Sequence, residues 1–426
     1  MKLKYKNILK NLILTFLLFT FLFGRSLMGI YIFNFRIGEL IVGLNLLLTF
    51  LIFVELIINK KFDFLNKTYL ILILTVFIYF VINPTSVFKL YSYRSSSYIW
   101  AISLFITVKN YSTKFEITKN WIYIYQFALI YGYILSAVNY PEFLQLFFKQ
   151  FSDKFDFVKA SSLAIFFIVV TFLSNRLLEK KISILYFFFI SSLFLPLFLV
   201  KSRGSFLAIV LFIFFELINL RGSLQKNKIK TLVLLLCSCL IFIISSFHIS
   251  GQKFEISKTE QIGTVLTDLS ETKNTSKEFL KFYIKDNRLF SSDYNVNWRI
   301  QIWQDVYFDL IDRSKLLVGY GYADKIPAMT IKGRQGIDGL NENVHNFLVN
   351  IFARGGLLQV FAYMTFVYNI FKQFAGHKFK NIITFIIPIF VISFFDSSME
   401  NAHFPVIFYL TLGYIFSNLN FKEKIK

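Results

Sequence analysis

Long apolar runs alternate with short polar segments along most of the chain. A run of about 20 apolar residues is long enough to cross the hydrocarbon core of a bilayer as a helix. The pattern predicts an all-α integral membrane protein with about twelve spans, at residues 8–23, 37–58, 68–83, 96–108, 121–139, 160–175, 182–200, 204–220, 231–248, 346–371, 381–395 and 404–419. Composition agrees, because 56% of the residues are hydrophobic, above the roughly 45–50% of soluble domains.

The basic residues are divided unevenly between the two sides of this predicted bundle. Lys and Arg concentrate before span 1, after span 12 and in every second connection, for example in residues 59–67 and 221–230. Cytoplasmic segments of membrane proteins carry such an excess. Both termini are therefore predicted to be cytoplasmic. The net charge of +21 is attributed to this topology rather than to nucleic-acid binding.

One connection is much longer than the others. It lies between spans 9 and 10 on the outer side, and residues 249–344 hold 13 basic and 13 acidic residues. A loop of this length without structure of its own is uncommon, so it predicts a small extracytoplasmic cap. Apolar residues at helical spacing from Trp298 to Ile311 predict an amphipathic helix within it. The predicted division is residues 1–248 for spans 1–9, 249–345 for the cap, and 346–426 for spans 10–12 and a cytoplasmic tail.

Counting spans brings three polar residues to the outer end of the bundle. Arg203 begins span 8, Arg299 lies on the predicted cap helix, and His345 precedes span 10. We expect the three to meet there. Each also has a structural interpretation: Arg203 as an interface anchor, Arg299 as a solvated residue of a loop helix, and His345 as a helix cap.

The residues around His345 resemble the signature of the O-antigen ligase and polymerase superfamily, which are bacterial membrane glycosyltransferases acting on lipid-linked glycans. His345, Asn346 and Gly356 fit the family pattern, whereas Gln359 departs from it at the last position. Earlier in the chain, a Ser-Arg-Gly helix start, an Arg…Trp helix and a Gly-Tyr-Gly turn match in the family's order. These segments are Ser202–Gly204, Asn297–Trp303 and Gly319–Gly321, so the resemblance covers about residues 200–360.

The resemblance implies transfer of a glycan from a polyprenyl diphosphate to an acceptor sugar outside the cytoplasmic membrane. Arg203 and Arg299 would bind the donor diphosphate through forked hydrogen bonds. A neutral His345 would accept the proton of the attacking hydroxyl, and direct displacement would invert the anomeric configuration. The sequence contains no Asp-x-Asp pair, His-x-x-x-His or Cys cluster that indicates a metal, so we expect a metal-independent enzyme without a cofactor.

Four further polar residues are candidates for the same site, namely Asn346, Arg354, Asp396 and Glu400. A charge within a span usually faces a partner or a cavity. Arg354 could therefore bind the donor phosphates or pair with Glu216 or Glu39, and the sequence does not choose among these. Asp396 and Glu400 lie in the last outer loop. They could orient His345, bind sugar hydroxyls or be ordinary solvated residues.

Two enzymatic functions stay open. A polymerase would extend one lipid-linked repeat chain with another, making O-antigen or capsule, whereas a ligase would attach finished chains to a lipid A core. Gln359 and Arg354, where relatives carry other residues, favour the polymerase. A flippase or transporter of lipid-linked sugars is the alternative of another class, although no internal repeat supports it. The resemblance implies the bacterial inner membrane, a lipid-linked donor, a glycan or lipid A core acceptor and a chain-length regulator protein as surroundings and partners.

Overall fold

Helices dominate the chain in a computed structural model that describes residues 2–111, 117–138, 140–153, 158–226, 228–250, 281–331, 334, 342–374 and 379–418. The first twelve helices are α1 (Lys2–Met28), α2 (Ile37–Ile58), α3 (Phe64–Ile82), α4 (Leu90–Ser95), α5 (Ser97–Trp100), α6 (Ile102–Tyr111), α7 (Lys119–Val138), α8 (Glu142–Phe151), α9 (Ala160–Leu177), α10 (Lys180–Lys201), α11 (Arg203–Leu224) and α12 (Lys228–Ser250). After the long connection come α13 (Tyr294–Asp312), α14 (Pro327–Thr330), α15 (Phe347–Gln373), α16 (Phe379–Phe395) and α17 (His403–Ser417).

Strands are few and short in the described ranges. Tyr31–Ile32 (β1) pairs with Phe35–Arg36 (β2), and Phe282–Lys285 (β3) pairs with Arg288–Ser291 (β4), both in antiparallel hairpins. Two 3-10 helices lie in connections between α-helices: Pro84–Phe88 follows α3, and Ser398–Glu400 follows α16. The strands therefore form connections between helices and no sheet core.

Each of the twelve predicted spans overlaps helical residues. Within the described residues, eight helices are long and apolar enough to cross a membrane, namely all or part of α1, α2, α3, α9, α10, α11, α12 and α15, while α16 and α17 are shorter apolar helices. The segment 96–108 is divided between α5 and α6. The chain is thus a mostly helical, multi-pass membrane protein, whereas twelve crossings, their orientation and the three-part division stay predictions.

Helix α9 lies at the centre of the bundle. Every side chain from Leu163 to Ser174 on this helix is buried, and α9 packs against α1, α7, α10, α11, α16 and α17. A helix that is apolar on all faces is stable only when neighbours surround it. Aromatic rings fill its contacts; the rings of Phe21 and Phe166 stack with centroids 4.2 Å apart.

The cap residues that are described pack onto the end of α15. Helix α13 covers the segment from Trp298 to Ile311 in which a helix was predicted. Its buried face, with Ile302, Val306 and Leu310, forms a small core together with residues of α14 and α15. The first part of the long connection, residues 251–280, lies outside the described residues. The described part of the cap is therefore packed against the helix that follows His345.

A break in α15 joins this helix to the loop after α13. Gly356 has φ +63°, a left-handed conformation that glycine adopts without steric strain. The break frees backbone groups of the helix, and the segment 316–321 pairs with them. The amides of Tyr320 and Gly321 donate to the carbonyls of Ala353 and Arg354, each at 2.8 Å, and the amides of Leu357 and Leu358 donate to the carbonyls of Leu316 and Leu317 at 3.0 and 3.1 Å. The segment that ends in the Gly-Tyr-Gly turn thus supplies hydrogen-bond partners to the backbone groups of α15 around Gly356.

Candidate functional site

A cavity of about 2280 Å³ unites candidate residues from distant parts of the chain. Its lining includes Arg299 on α13, His345 before α15, Arg354 on α15, and Asp396 and Glu400 between α16 and α17. Helices α2, α3 and α4 complete its surface. The folded chain thus brings these five candidate residues to a single space.

Fixed neighbours on both sides hold His345 at the start of α15. On one side the carbonyl of Val344 accepts a hydrogen bond from Trp303 Nε1 at 2.8 Å. On the other side Asn346 caps the helix, because its side chain accepts the amide of Val349 at 3.1 Å. His345 itself has φ +55°, a conformation uncommon for residues other than glycine and one that is found at functional sites. Asn346 is therefore a structural cap, and its neighbour is the residue presented to the cavity.

Burial keeps the His345 imidazole neutral. The side chain is half-buried, and the ring of Trp298 meets it edge-on with centroids 5.2 Å apart. Burial lowers the pKa of His345 to about 4; the cations Arg299 and Lys159 also lower it, and the Asp396 carboxylate opposes them. A neutral imidazole can accept a proton at pH 7.

Arg299 is a cation whose charge acts on His345. It lies on α13 and lines the cavity. Burial lowers the pKa of Arg299, while Asp396 and Asp293 raise it. An arginine keeps its charge at neutral pH even so, because its ordinary pKa is far above 7. The cavity therefore contains a fixed positive charge beside a neutral base.

Arg203 does not belong to the cavity lining. Its Nη1 donates to Asp293 Oδ2 at 2.7 Å, and the other carboxylate oxygen of Asp293 accepts the amide of Val296 at 3.0 Å, at the first turn of α13. Burial raises the pKa of Asp293, but the hydrogen bonds from Val296 and Arg203 outweigh it, and the net shift is downward. Arg203 thus joins α11 to the helix that carries Arg299, and its role as a diphosphate ligand stays a prediction.

The predicted pairing of Arg354 with Glu216 or Glu39 is wrong. Glu216 pairs with Arg176, and Glu39 pairs with Arg94 at 2.6 Å. Arg354, which is 2% exposed, donates instead to the carbonyls of Gly321 and Asp324 and to the Tyr91 hydroxyl. The break in α15 explains the difference, since it draws the 319–324 loop onto this side chain.

The two acids of the last outer loop have different surroundings. Asp396 Oδ1 accepts the amide of Ser397 at 2.8 Å, and its charge acts on both His345 and Arg299. Burial raises the pKa of Glu400 well above its ordinary value, and the charge of Arg354 only partly opposes this. Glu400 therefore lies in a wall of the cavity where burial disfavours its charged form, which differs from the solvated interpretation.

An apolar groove extends the cavity between α2 and α3. Helix α2 packs on α6, and α3 packs on α15, which leaves a space between the first two. Its lining is aliphatic and aromatic, with Leu46, Leu47 and Phe50 on α2 and Leu70, Leu74 and Phe77 on α3. Half or more of the Phe50 and Phe77 side chains is exposed. The groove can therefore accommodate a hydrocarbon chain continuous with the polar part of the cavity.

Sequence reasoning missed other parts of the lining. Arg36 and Arg94 form an ion-pair network with Glu39 and Asp153 near the start of α2. Their signal in the sequence is weak, because Arg36 reads as the polar residue before an apolar run. Asn350 and His403 also line the cavity, and each is a lone polar residue on an apolar helix. No group of three or more His, Cys, Asp or Glu residues within the described ranges is arranged to hold a metal ion; metal independence stays a prediction.

Comparison with known proteins supports the resemblance drawn from the sequence. Residues 187–364 match a family model described as O-antigen ligase. The match runs from α10 into α15 and contains Arg203, Arg299, His345 and Arg354. No curated protein matches the chain.

Proposed function

We propose that this chain, which carries an O-antigen ligase family domain at residues 187–364, transfers a glycan from a polyprenyl diphosphate to an acceptor sugar at the extracytoplasmic face of a bacterial inner membrane. The observation that carries this proposal is the single cavity. It combines a neutral base, His345, with a half-buried cation, Arg299, and with an apolar groove. A substrate that is part sugar, part diphosphate and part lipid has the chemistry that such a cavity fits.

The proposed reaction is a direct displacement at the anomeric carbon. An acceptor hydroxyl loses its proton to His345 while its oxygen forms the new glycosidic bond. The bond from the anomeric carbon to the diphosphate oxygen breaks, and the diphosphate leaves with the electron pair. Arg299 stabilises the charge that develops on this leaving group, and Arg203 acts at the same step as a second ligand or by positioning α13. Attack opposite the leaving group inverts the configuration, and no metal takes part.

The groove between α2 and α3 supports a lipid-linked donor. A polyprenyl chain lying there would remain in contact with the bilayer while its diphosphate reaches the polar cavity. Burial of apolar surface provides affinity of about 25 cal/mol per Å². Such an arrangement needs no passage of the lipid through water.

This reaction is compatible with two functions, polymerase and ligase, and we favour the polymerase. A polymerase makes O-antigen or capsular polysaccharide and acts with a chain-length regulator. Arg354 and Gln359, at which the chain departs from the family pattern, support this choice. Gln359 accepts the hydroxyl of Tyr98 at 2.8 Å and donates to Thr75 at 3.2 Å, so it is fixed in the bundle. The ligase is the second candidate, because the matched family model is described by that activity.

The glycolipid profile of a deletion strain tests the proposal. The strain is complemented with wild type, with His345→Ala, or with His248→Ala as a control, since His248 is exposed at the end of α12 and does not line the cavity. Single repeats without long chains establish a polymerase, and long chains on the carrier with a bare lipid A core establish a ligase. Repeats held at the cytoplasmic face would instead identify a flippase. A full profile with His345→Ala would refute the catalytic role of this residue.

A further inference from the structure

Three cavity-lining side chains other than arginines hold buried polar atoms that lack a hydrogen-bond partner among the residues that the structure describes. They are Asn350 on α15, Glu400 in the 3-10 helix and His403 at the start of α17. The unpaired atoms are Asn350 Oδ1, both carboxyl oxygens of Glu400 and Nδ1 of His403. Asn350 is 2% exposed and His403 is 3% exposed, so both are embedded in the wall.

Unpaired buried polar atoms are uncommon in folded proteins. The large majority have a partner, because an unpaired group in the interior is destabilising. Asn369 illustrates the ordinary case: it is equally buried on the same helix, away from the cavity, and donates to the Thr365 carbonyl at 2.7 Å. The four such atoms of Asn350, Glu400 and His403 belong to side chains that line one cavity, so they are candidates for hydrogen bonds to a molecule bound there.

The wall that these atoms form is close to the reacting groups. Asn350 lies one helical turn before Arg354, so both side chains project from the same face of α15. The charge of Arg354 acts on the Glu400 carboxyl. Asp396 is the charged neighbour of both Glu400 and His345. A molecule held at this wall would therefore lie next to the base.

The chemistry of the atoms fits the hydroxyl groups of a sugar. An amide oxygen accepts hydrogen bonds, and an imidazole nitrogen donates or accepts according to its tautomer. Burial raises the pKa of Glu400 well above its ordinary value, which favours the protonated form, and a protonated carboxyl both donates and accepts. The neighbouring cation, Arg354, donates to two backbone carbonyls and to Tyr91. The set therefore suits an uncharged polar ligand better than a phosphate.

We propose that Asn350, Glu400 and His403 form a glycan subsite, which binds the hydroxyl groups of the sugar next to the bond that is made. The subsite is distinct from the diphosphate-binding arginines and would set which sugar is accepted. Sites that hydrogen-bond a substrate hydroxyl discriminate strongly against sugars that lack it. This inference rests on the proposed glycosyltransferase function and extends it to substrate selection.

Binding to the purified full-length protein tests the subsite with two probes. One is the oligosaccharide released by mild acid from the lipid-linked glycan of a deletion strain, and the other is inorganic pyrophosphate. Asn350→Ala and Glu400→Ala are expected to weaken oligosaccharide binding at least about tenfold while pyrophosphate binding is unchanged. Glu400→Gln keeps a neutral group that donates and accepts, so we expect it to bind within about threefold of wild type.

Two controls separate a binding role from a structural one. Asn369→Ala removes a buried amide of the same helix outside the cavity, and it should leave both affinities as in wild type. The thermal midpoint of Glu400→Ala should be no lower than that of wild type, because the removed carboxyl makes no hydrogen bond to the described residues.

The inference is overturned if Asn350→Ala and Glu400→Ala bind the oligosaccharide as wild type does, since ordered water alone then satisfies these atoms. It is also overturned, with the proposed function intact, if both variants restore normal glycan chains in the deletion strain while His345→Ala does not. If His345→Ala also restores them, the proposed function fails together with the subsite.

Discussion

Arg203 and Asp293 are joined by an ion pair with Nη1 and Oδ2 2.7 Å apart. The pair links the first residue of α11 to the residue that caps α13. Through it, an arginine outside the cavity lining fixes the start of the helix that presents Arg299. The relationship makes Arg203 a positioning residue whose effect can be measured separately from that of a direct ligand.

If Arg203 acts through Asp293, the two residues should behave as one unit. Arg203→Ala and Asp293→Asn should reduce kcat for glycan transfer by a similar factor, and the double variant should be no worse than either. The effect on stability should be small, about 1 kcal/mol or less, because the arginine is 45% exposed and the pair is screened by solvent. A much larger loss for Arg203→Ala alone, with weaker pyrophosphate binding, would identify a direct ligand.

The pH dependence of transfer should reflect the His345 imidazole. Burial lowers its pKa to about 4 from the ordinary 6.5, so the rate should hold from pH 8 to pH 6 and fall in acid, with an apparent pKa near 4. Asp396→Asn removes the charge that raises this pKa, so its acid limb should move to lower pH. Rates measured on purified protein as a function of pH check both expectations. An acid limb with an apparent pKa near 6.5 would contradict them.

The same shift predicts how stability varies with pH. Between about 6.5 and 4 the unfolded chain binds a proton that the folded protein does not bind at His345, so the free energy of unfolding rises with pH in this window. The stability contributed by the neutral imidazole is present above pH 6.5 and is lost as the pH falls toward 4. His345→Ala should flatten this part of a thermal-midpoint profile. An unchanged profile would mean that another group titrates there.

Gly356→Ala should be strongly destabilising. The position has φ +63°, and a Cβ would overlap the Leu317 carbonyl. We expect a loss of about 2 kcal/mol or more, combining backbone strain with displacement of the paired loop. Gly222→Ala is the matched control on α11, where a Cβ meets no atom within 4 Å, and it should be neutral or slightly stabilising. Thermal unfolding of both variants in one detergent distinguishes them.

Filling the groove should impair use of the lipid-linked substrate. Gly43 lies on α2 in the lining, and a Cβ there meets nothing within 4 Å, so Gly43→Trp projects a large ring into the space. We expect transfer to fall at least about tenfold through a higher KM, because the lost lipid contact is apolar burial, while pyrophosphate binding persists. Ile57→Trp, on the exposed part of α2 outside the lining, should have no effect. Equal activity of the two variants would remove the groove from the substrate path.

The helices could be predicted from the sequence, because a helix that is buried in lipid or protein consists of a long run of mostly apolar residues. The irregular start of the 96–108 segment could not, because Ser96, between α4 and α5, makes local bonds: its hydroxyl donates to the Ser92 carbonyl at 2.6 Å and accepts Trp100 Nε1 at 2.8 Å. Such local bonds compete with helix formation, but a serine in an apolar run does not show which partner it will take.

The site was predictable only in part. Arg299 and His345 could be placed from the topology, since each lies at the outer end of a predicted element. The partners of Arg354 could not, because they are backbone carbonyls of a loop, which the sequence does not distinguish from any others. Asn350 and His403 were missed for a related reason: a lone polar side chain on an apolar helix has the same appearance whether it is paired or not.

The pairing of the 316–321 segment with the break in α15 also bears on how the protein is made. Helices that cross a bilayer usually enter it as finished units, with every amide and carbonyl satisfied internally. Around Gly356 the nascent α15 lacks part of that hydrogen bonding, and a segment that precedes it by some 35 residues provides the missing partners. We therefore expect insertion of this helix and folding of the 316–321 segment to be coupled, since each supplies hydrogen-bond partners to the other.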